Sequence, residues 1–329
     1  PDNNIVSFIK IRGSYGEVGN DQIGGERFLY RPSAYEYSGG YYFGEVGTNY
    51  NYYPASQESK IGNPNLTWER AIKRDIGIEL TTWKNKLRFN LDLFDERREN
   101  ILANIQTVPS IVGADLPAYN LGKMENKGFD GEVTFNDHIG TFNYWLKGIF
   151  TYARNKIIYQ DEVPNQYQYQ NKTGQILGQY YGLIAEGIYN TWEEVNQANR
   201  PEYTNNQLQP GDLKYKDVNG DGMINGYDYV PIGYSNFPGK SFGISFGGQY
   251  RGFDFSVLFQ GAADVSFQYH SSAIKVVSKE RSIPQYLDQS WTQERYEQGV
   301  EIPFPRLSMD NLNYTTSSFW IVDASYLRL

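Results

Sequence analysis

The chain has 329 residues, with 38 acidic against 30 basic side chains and a formal net charge of −8. That balance excludes the basic face that nucleic-acid binding needs, and no run of about 18 apolar residues offers a transmembrane helix. Cysteine is absent, which removes disulfides, thiolate nucleophiles and Cys-type zinc sites. The 29 Tyr, 18 Phe, six Trp and 33 Gly favour strands and aromatic surfaces instead. A negative mean hydropathy leaves a membrane barrel open, because barrel strands alternate apolar and polar residues.

From the start of the chain, Ile9, Ile11 and Tyr15 alternate with Lys10, Arg12 and Ser14, a period of two that predicts a strand. A long connection follows, from about Gly16 to Thr67. It is rich in aromatic residues: Phe28, Tyr30, Tyr35, Tyr37, Tyr41, Tyr42, Phe43, Tyr50, Tyr52 and Tyr53. Ile72, Ile76, Ile78 and Leu80 give a weaker stripe, broken by Arg74. A minimal turn at 82–86 leads to Leu87, Phe89, Leu91 and Leu93, opposite Arg88, Asn90 and Asp92. A long connection from about Arg97 to Lys127 precedes Phe129, Val133 and Phe135, and a second tight turn falls at 136–140. Phe142, Tyr144, Leu146, Phe150 and Tyr152 form the next stripe.

Residues 154–240 form the longest connection. Within it Thr191-Trp-Glu-Glu194 is a capping box predicting a short helix through Val195 and Ala198, stopped by Pro201. Phe242, Ile244, Phe246 and Tyr250 resume the alternation; Arg251-Gly252 turns the chain into Phe253, Phe255, Val257 and Phe259. A last long connection, 264–324, has helical spacing over Ile283 to Gln298, and the chain stops in an apparent strand, Ser325 to Leu329. With no leader before Pro1, this predicts a stretch of a longer protein.

Short and long connections alternate strictly. Antiparallel strands would therefore gather every tight turn at one end of the sheet and every long loop at the other, the layout of an outer-membrane barrel. A soluble β-sandwich also alternates in and out, but its loops rarely show such one-sided asymmetry. The predicted fold class is all-β: an antiparallel transmembrane β-barrel segment with long extracellular loops over residues 1–329, residues 154–240 being one such loop region. Lys10, Arg12, Lys73, Asp75, Arg88, Asp92, Asp130, Glu132, Lys147 and Asp254 alternate with the apolar stripes and are expected to face the lumen.

Within that loop, Asp217-Val-Asn219-Gly-Asp221-Gly222-Met223-Ile224-Asn225-Gly-Tyr-Asp228 has the ligand spacing of a calcium loop. Asp217, Asn219, Asp221, Met223, Asn225 and Asp228 would hold a structural Ca²⁺. Position 12 is Asp228 rather than a bidentate Glu, and flanking helices are absent. The alternative is an Asx-rich turn closed by side-chain to backbone bonds, with Gly220 and Gly222 supplying positive φ. For Tyr35, Tyr37, Tyr41, Tyr42, Tyr50, Tyr52, Tyr53, Tyr180 and Tyr181, loop packing and partner contact are favoured over direct contact with substrate. No enzyme is expected. The only histidines are His138 and His270, the acid pairs Asp95-Glu96 and Glu193-Glu194 are adjacent in sequence as solvated acids often are, and the Gly243–Gly248 stretch lacks a phosphate-binding helix.

Seven segments in order resemble the SusC/RagA family of TonB-dependent outer-membrane transporters. They are Phe8 to Asp21; Gly62-Asn-Pro-Asn-Leu-Thr-Trp-Glu69; Leu121-Gly-Lys-Met-Glu-Asn-Lys-Gly-Phe129; Gln179-Tyr-Tyr-Gly182 with Glu186-Gly-Ile-Tyr189; Gly211-Asp-Leu-Lys-Tyr-Lys-Asp-Val-Asn-Gly-Asp-Gly222; Pro305-Arg-Leu-Ser308; and Ser317 to Leu329. The resemblance implies an arc, about eight strands, of a barrel of about 22 strands with a plugged lumen. It further implies a SusD-like surface lipoprotein as partner and TonB acting through a segment outside this chain. Outer-membrane lipid and lipopolysaccharide would surround the wall, and an oligomeric nutrient, glycan or peptide, would be imported. The alternatives are a SusC-like barrel acting as scaffold in another outer-membrane complex, and a soluble glycan-binding β-protein.

Overall fold

A computed structural model describes residues 5–21, 27–32, 35–44, 51–58, 61–108, 116–203, 207–275 and 288–329. The strands are β1 (Val6–Asn20), β2 (Tyr35–Phe43), β3 (Asn51–Glu58), β4 (Glu69–Thr82), β5 (Leu87–Ala103), β6 (Tyr119–Ile139) and β7 (Phe142–Tyr159). Short pieces follow: β8 (Tyr180–Gly182), β9 (Ala185–Ile188), β10 (Glu202–Tyr203), β11 (Leu213–Tyr215), β12 (Met223–Ile224) and β13 (Val230–Ile232). The chain then forms β14 (Lys240–Tyr250), β15 (Phe253–Ala263), β16 (Ser266–Gln268), β17 (Ile321–Asp323) and β18 (Tyr326–Arg328). Eight strands make the main sheet, in the order β1-β4-β5-β6-β7-β14-β15-β18.

Two compact units partition the chain: Pro1–Pro164 with Lys172–Ile176 and Ser245–Ser256, and Asn165–Asn171 with Leu177–Ile244 and Val257–Leu329.

The first unit is a wall with two unlike faces. Antiparallel register sets Ile11, Ile78, Leu91, Gly131 and Phe150 in one row, and Ile76, Leu93, Phe129 and Tyr152 in the next. Residues directly opposite one another share a face, so these rows form one apolar surface. That surface is open: Ile11 is 74% and Phe253 81% exposed. A sandwich would bury such a face under a second sheet, and among the described residues none covers Ile11 or Phe253. At the turn end the face carries Trp83, Phe142 and Tyr144, the last two stacked with centroids 6.0 Å apart.

The strands run further than the apolar stripes. β5 continues to Ala103 and β6 begins at Tyr119, leaving a much shorter connection than 97–127. Beyond Phe129 and Tyr152 the ladder is carried by charged cross-strand pairs, with Arg74, Asp95, Lys127 and Arg154 in one row. Arg74 interrupts its stripe between Ile72 and Ile76, in the row where that face turns from apolar to ionic. The second tight turn is Gly140-Thr141 rather than 136–140. His138 lies in strand, opposite Asn143.

Gly128, within the Asn-Lys-Gly motif, has a packing reason. A Cβ there would run into the Tyr152 carbonyl and the Phe94 ring, so only glycine lets the two strands and that ring close up. Asn63, buried in the Asn-Pro-x-Leu segment, accepts from Asn65 N at 3.0 Å and donates to the Ala118 carbonyl at 3.0 Å. Asn120 reciprocally bonds Thr67 and reaches the Asn100 carbonyl. These two asparagines stitch the connections at the loop end of the wall.

The second unit holds the hydrophobic core. Leu183, Tyr189, Val195, Tyr203, Leu208, Leu213, Tyr215, Ile224 and Leu312 form one buried cluster. The predicted helix is a single turn, Trp192–Val195, whose N-cap Thr191 accepts from Glu194 N at 3.3 Å; it stops short of Ala198. The Glu194 carboxylate bonds Asn190 N, one residue before the cap. Of the helical spacing over 283–298, residues 288–298 are described, and the helix among them is Gln293–Glu297, capped by Thr292; residues 276–287 lie outside the described residues.

Candidate functional site

The face of the first unit opposite the apolar rows is an ionic ladder. Lys10 and Arg12 on β1 both reach Glu79 on β4, and Arg12 also pairs with Asp92 on β5. Lys147 pairs with Glu132 at 2.8 Å, and Thr151 donates to Asp130 at 2.7 Å. Lys73 and Arg98 converge on Glu96. Register puts Asp75 and Arg88 on the same side. The residues expected to face the lumen on β1 and β4–β7 thus share one face. Asn90, between Glu79 and Glu132, carries a buried side-chain oxygen with no bond among the described residues.

Above the wall, two neighbouring carboxylates each hold a loop. Asp161 accepts from Gln106 N at 2.7 Å and from Thr107 N and the Thr107 hydroxyl at 3.0 Å. The Thr107 amide foremost, with the other two donors, holds its carboxyl below the usual range. Glu162 accepts from Lys172 N, Thr173 N and the Thr173 hydroxyl. Partial burial works against its charge, but those donors outweigh it and leave its carboxyl lowered too.

The tyrosine-rich connection of this unit is a hairpin of β2 and β3. Tyr35, Tyr37, Tyr41, Tyr42, Tyr52 and Tyr53 are exposed along it, Tyr35 to 78%. Tyr42 packs on Tyr52, and the Tyr37 and Tyr52 hydroxyls meet. Tyr50 lies outside the described residues.

In the second unit, the Asp217–Asp228 loop stands on two short ladders. β9 pairs with β11 before it, and β8 pairs with β13 after it. The Gln179–Gly182 and Glu186–Tyr189 segments therefore grip the Asp-rich stretch from both sides. Tyr180 and Tyr181 lie in β8, and the Tyr181 hydroxyl donates to the Asn171 carbonyl.

Every acidic or amide side chain of the loop is engaged from within. Asp217 accepts from Gly220 N and Gly222 N at 2.7 and 2.8 Å. Asn219 accepts from Asp221 N, and Asp221 from Met223 N. Asn225 accepts from Tyr227 N. The fully buried Asp228 accepts from Val218 N and Asn225 N, both at 2.8 Å. Met223 lies in β12, beside β10. Among the described residues no three acidic or histidine side chains converge on one point. The donors already present close the loop as a chain of Asx turns. Tyr167, stacked on Tyr169 at 5.3 Å, and Tyr227 shield one side; Asn219 donates to the Tyr167 hydroxyl.

A buried clamp, absent from the sequence-based expectations, fixes the base of this assembly. Asp212, 1% exposed, faces Arg306 Nε at 2.7 Å and Nη2 at 3.1 Å. Asn313 Nδ2 donates to Asp212 at 2.9 Å while its carbonyl oxygen accepts from Leu213 N. Gly211, at φ +95°, lets Trp291 and Arg306 pack against the backbone where a Cβ would collide. Beside it, Tyr203 accepts from Tyr215 N and Tyr215 donates to the Leu312 carbonyl. Burial pushes both phenols well above the usual tyrosine range. The only sequence signal for the clamp was that Asp212 and Arg306 each lie in a family-like segment.

The family described as TonB dependent receptor-like, beta-barrel matches residues 2–328. The chain belongs to the TonB-dependent receptor β-barrel family. This receptor chain is accordingly an outer-membrane protein of a Gram-negative bacterium, and the expected barrel class and SusC/RagA-type resemblance hold. TonB-dependent receptor P26 of Formosa agariphila is 28% identical over 77% of this chain and 25% of its own length. TonB-dependent receptor P3 of the same organism is 23% identical over 100% of this chain and 32% of its own. The RagAB peptide importer in its open-open state superposes with a TM-score of 0.71 at 18% identity, over 100% of this chain and 33% of that one. The receptor chain thus spans about a quarter to a third of the relatives it matches.

Proposed function

We propose that this chain is the loop-bearing wall of a TonB-dependent importer that carries oligomeric nutrients, glycan or peptide, across the outer membrane. One observation carries the reading: an exposed apolar face and an ionic ladder occupy opposite sides of the same strands. Such a sheet suits lipid on one side and a hydrated lumen or plug on the other. The importer named among the structures of similar fold supports import as the activity. The exposed β2–β3 tyrosines and the loop assembly around Asp217–Asp228 offer contact surface to a SusD-like surface lipoprotein, with TonB engaging a segment outside this chain.

Uptake of labelled oligopeptides and oligosaccharides by cells carrying or lacking the full-length gene tests this. Uptake of one class that needs both the gene and TonB is the expected result. Unchanged uptake, with loss of another outer-membrane assembly, would establish the scaffold reading instead.

A further inference from the structure

The lipid-facing side of β6 and β7 continues past its apolar rows into a cluster of cations. Phe129 lies opposite Tyr152; the next rows on that face pair Lys127 with Arg154, Glu125 with Lys156, and Lys123 with Tyr159. Four cations thus share this face with two neighbouring carboxylates, Glu125 and Asp95 of β5, in a chain whose net charge is −8. Both are taken by Lys127, Glu125 at 3.1 Å and Asp95 at 3.9 Å. Lys123, Arg154 and Lys156 are exposed and have no ion-pair partner among the described residues.

Their height on the wall says what they meet. The stretch from Phe142 to Tyr152, at about 3.4 Å per residue and a tilt of about 40°, climbs roughly 26 Å, close to the apolar band of an outer-membrane barrel. Arg154 and Lys156 follow at once on the same face, at the long-loop end. That is the depth of the outer-leaflet headgroups. A lumenal solute or plug cannot reach this side of the sheet, and Tyr152 and Tyr159 bracket the cluster as interfacial aromatic residues do. An arginine fork flanked by lysines is suited to phosphate oxygens.

We propose that Lys123, Lys127, Arg154 and Lys156 form a binding site for the phosphate groups of an outer-leaflet glycolipid of the lipid A type. The site is independent of the imported solute, so its test does not read uptake.

The full-length protein, extracted in mild detergent, is examined by native mass spectrometry for retained glycolipid, then delipidated and titrated with lipid A or with dephosphorylated lipid A. The wild type should retain the phosphorylated lipid. The variant combining Lys127→Gln, Arg154→Gln and Lys156→Gln should bind it roughly a hundredfold more weakly, since each surface cation strengthens such attraction about fivefold. Exchange that keeps the charge, Arg154→Lys with Lys156→Arg, should restore most of the binding and show that folding is intact. Inorganic phosphate should not displace the lipid at equal concentration, which separates a headgroup site from a free-phosphate site. Equal binding by the triple variant, equal binding of dephosphorylated lipid, or displacement by inorganic phosphate would each overturn the proposal.

Discussion

Asp212 and Arg306, 94 positions apart in sequence, form a buried ion pair that binds two long connections of the chain into one body. Asn313 completes the site by bonding both the Asp212 carboxylate and Leu213 N. Removing one partner strands the other charge away from water, which costs about 3–5 kcal/mol. Arg306→Ala and Asp212→Ala are expected to open the loop assembly while leaving the strands of the wall in place. Limited proteolysis of intact cells should then cut within 160–239 or 264–320. Resistance equal to wild type would show that the core cluster alone holds the assembly.

The Asp-rich loop should keep its form through its own donors. Asp228→Ala leaves two half-buried amides, Val218 N and Asn225 N, without their acceptor, a loss of up to about 1–3 kcal/mol each. Chelation of calcium should by contrast leave the thermal midpoint of the wild-type protein nearly unchanged. A drop on chelation comparable to that of the variant would establish Ca²⁺ as the element that closes the loop.

Asp161 and Glu162 give the loop end of the wall an acid limit. Both carboxyls are lowered in the folded protein. Their contribution is therefore complete above the unfolded carboxylate pKa, about 4, and is lost as pH falls below it through the lowered folded values. Amide exchange at Gln106, Thr107, Lys172 and Thr173 should stay slow at pH 6 and speed up, relative to the intrinsic rate, below about pH 4. Asp161→Asn should release Gln106 and Thr107 already at pH 6. Unchanged protection in that variant would show that other contacts hold the loop.

Asn63→Ala should loosen the seam between the connections that precede β4 and β6, because it leaves the Ala118 carbonyl and Asn65 N without their partner. The expected loss is about 1–3 kcal/mol, read as faster exchange at Asn65 and Thr67. No change at those amides would assign the seam to Asn120 alone.

The membrane part of the wall was legible in the sequence because one face must be apolar and the period of a strand is two. Ile9 to Tyr15, Leu87 to Leu93 and Phe142 to Tyr152 could be read on that ground alone. The upper strands were not. Past Leu93 the β5–β6 ladder passes through charged pairs, Asp95 with Lys127 and Arg97 with Glu125, and then through register shifts around Ile101, and a run such as Asp95-Glu96-Arg97-Arg98 looks like solvated loop. The Asp217–Asp228 stretch was legible as a turn-rich loop, but the ladders that grip it join residues 25 to 52 positions apart and leave no periodic trace. The Asp212–Arg306–Asn313 clamp is further still from local pattern. Asp161-Glu162 is the same kind of case: two adjacent acids that look solvated each turn out to hold a separate loop.

The two-faced wall itself is tested most directly by placing single spin labels along it, in a background cleared of any other cysteine. The full-length protein in lipid bilayers would carry Ile78→Cys, Leu91→Cys or Phe150→Cys on one face, and Glu79→Cys, Asp92→Cys or Thr151→Cys on the other. Labels at the first three positions should collide with oxygen far more than with a water-soluble nickel complex, and labels at the second three should not. Equal accessibility at adjacent positions such as 78 and 79, or an inverted pattern, would contradict the assignment of lipid and lumen to these faces.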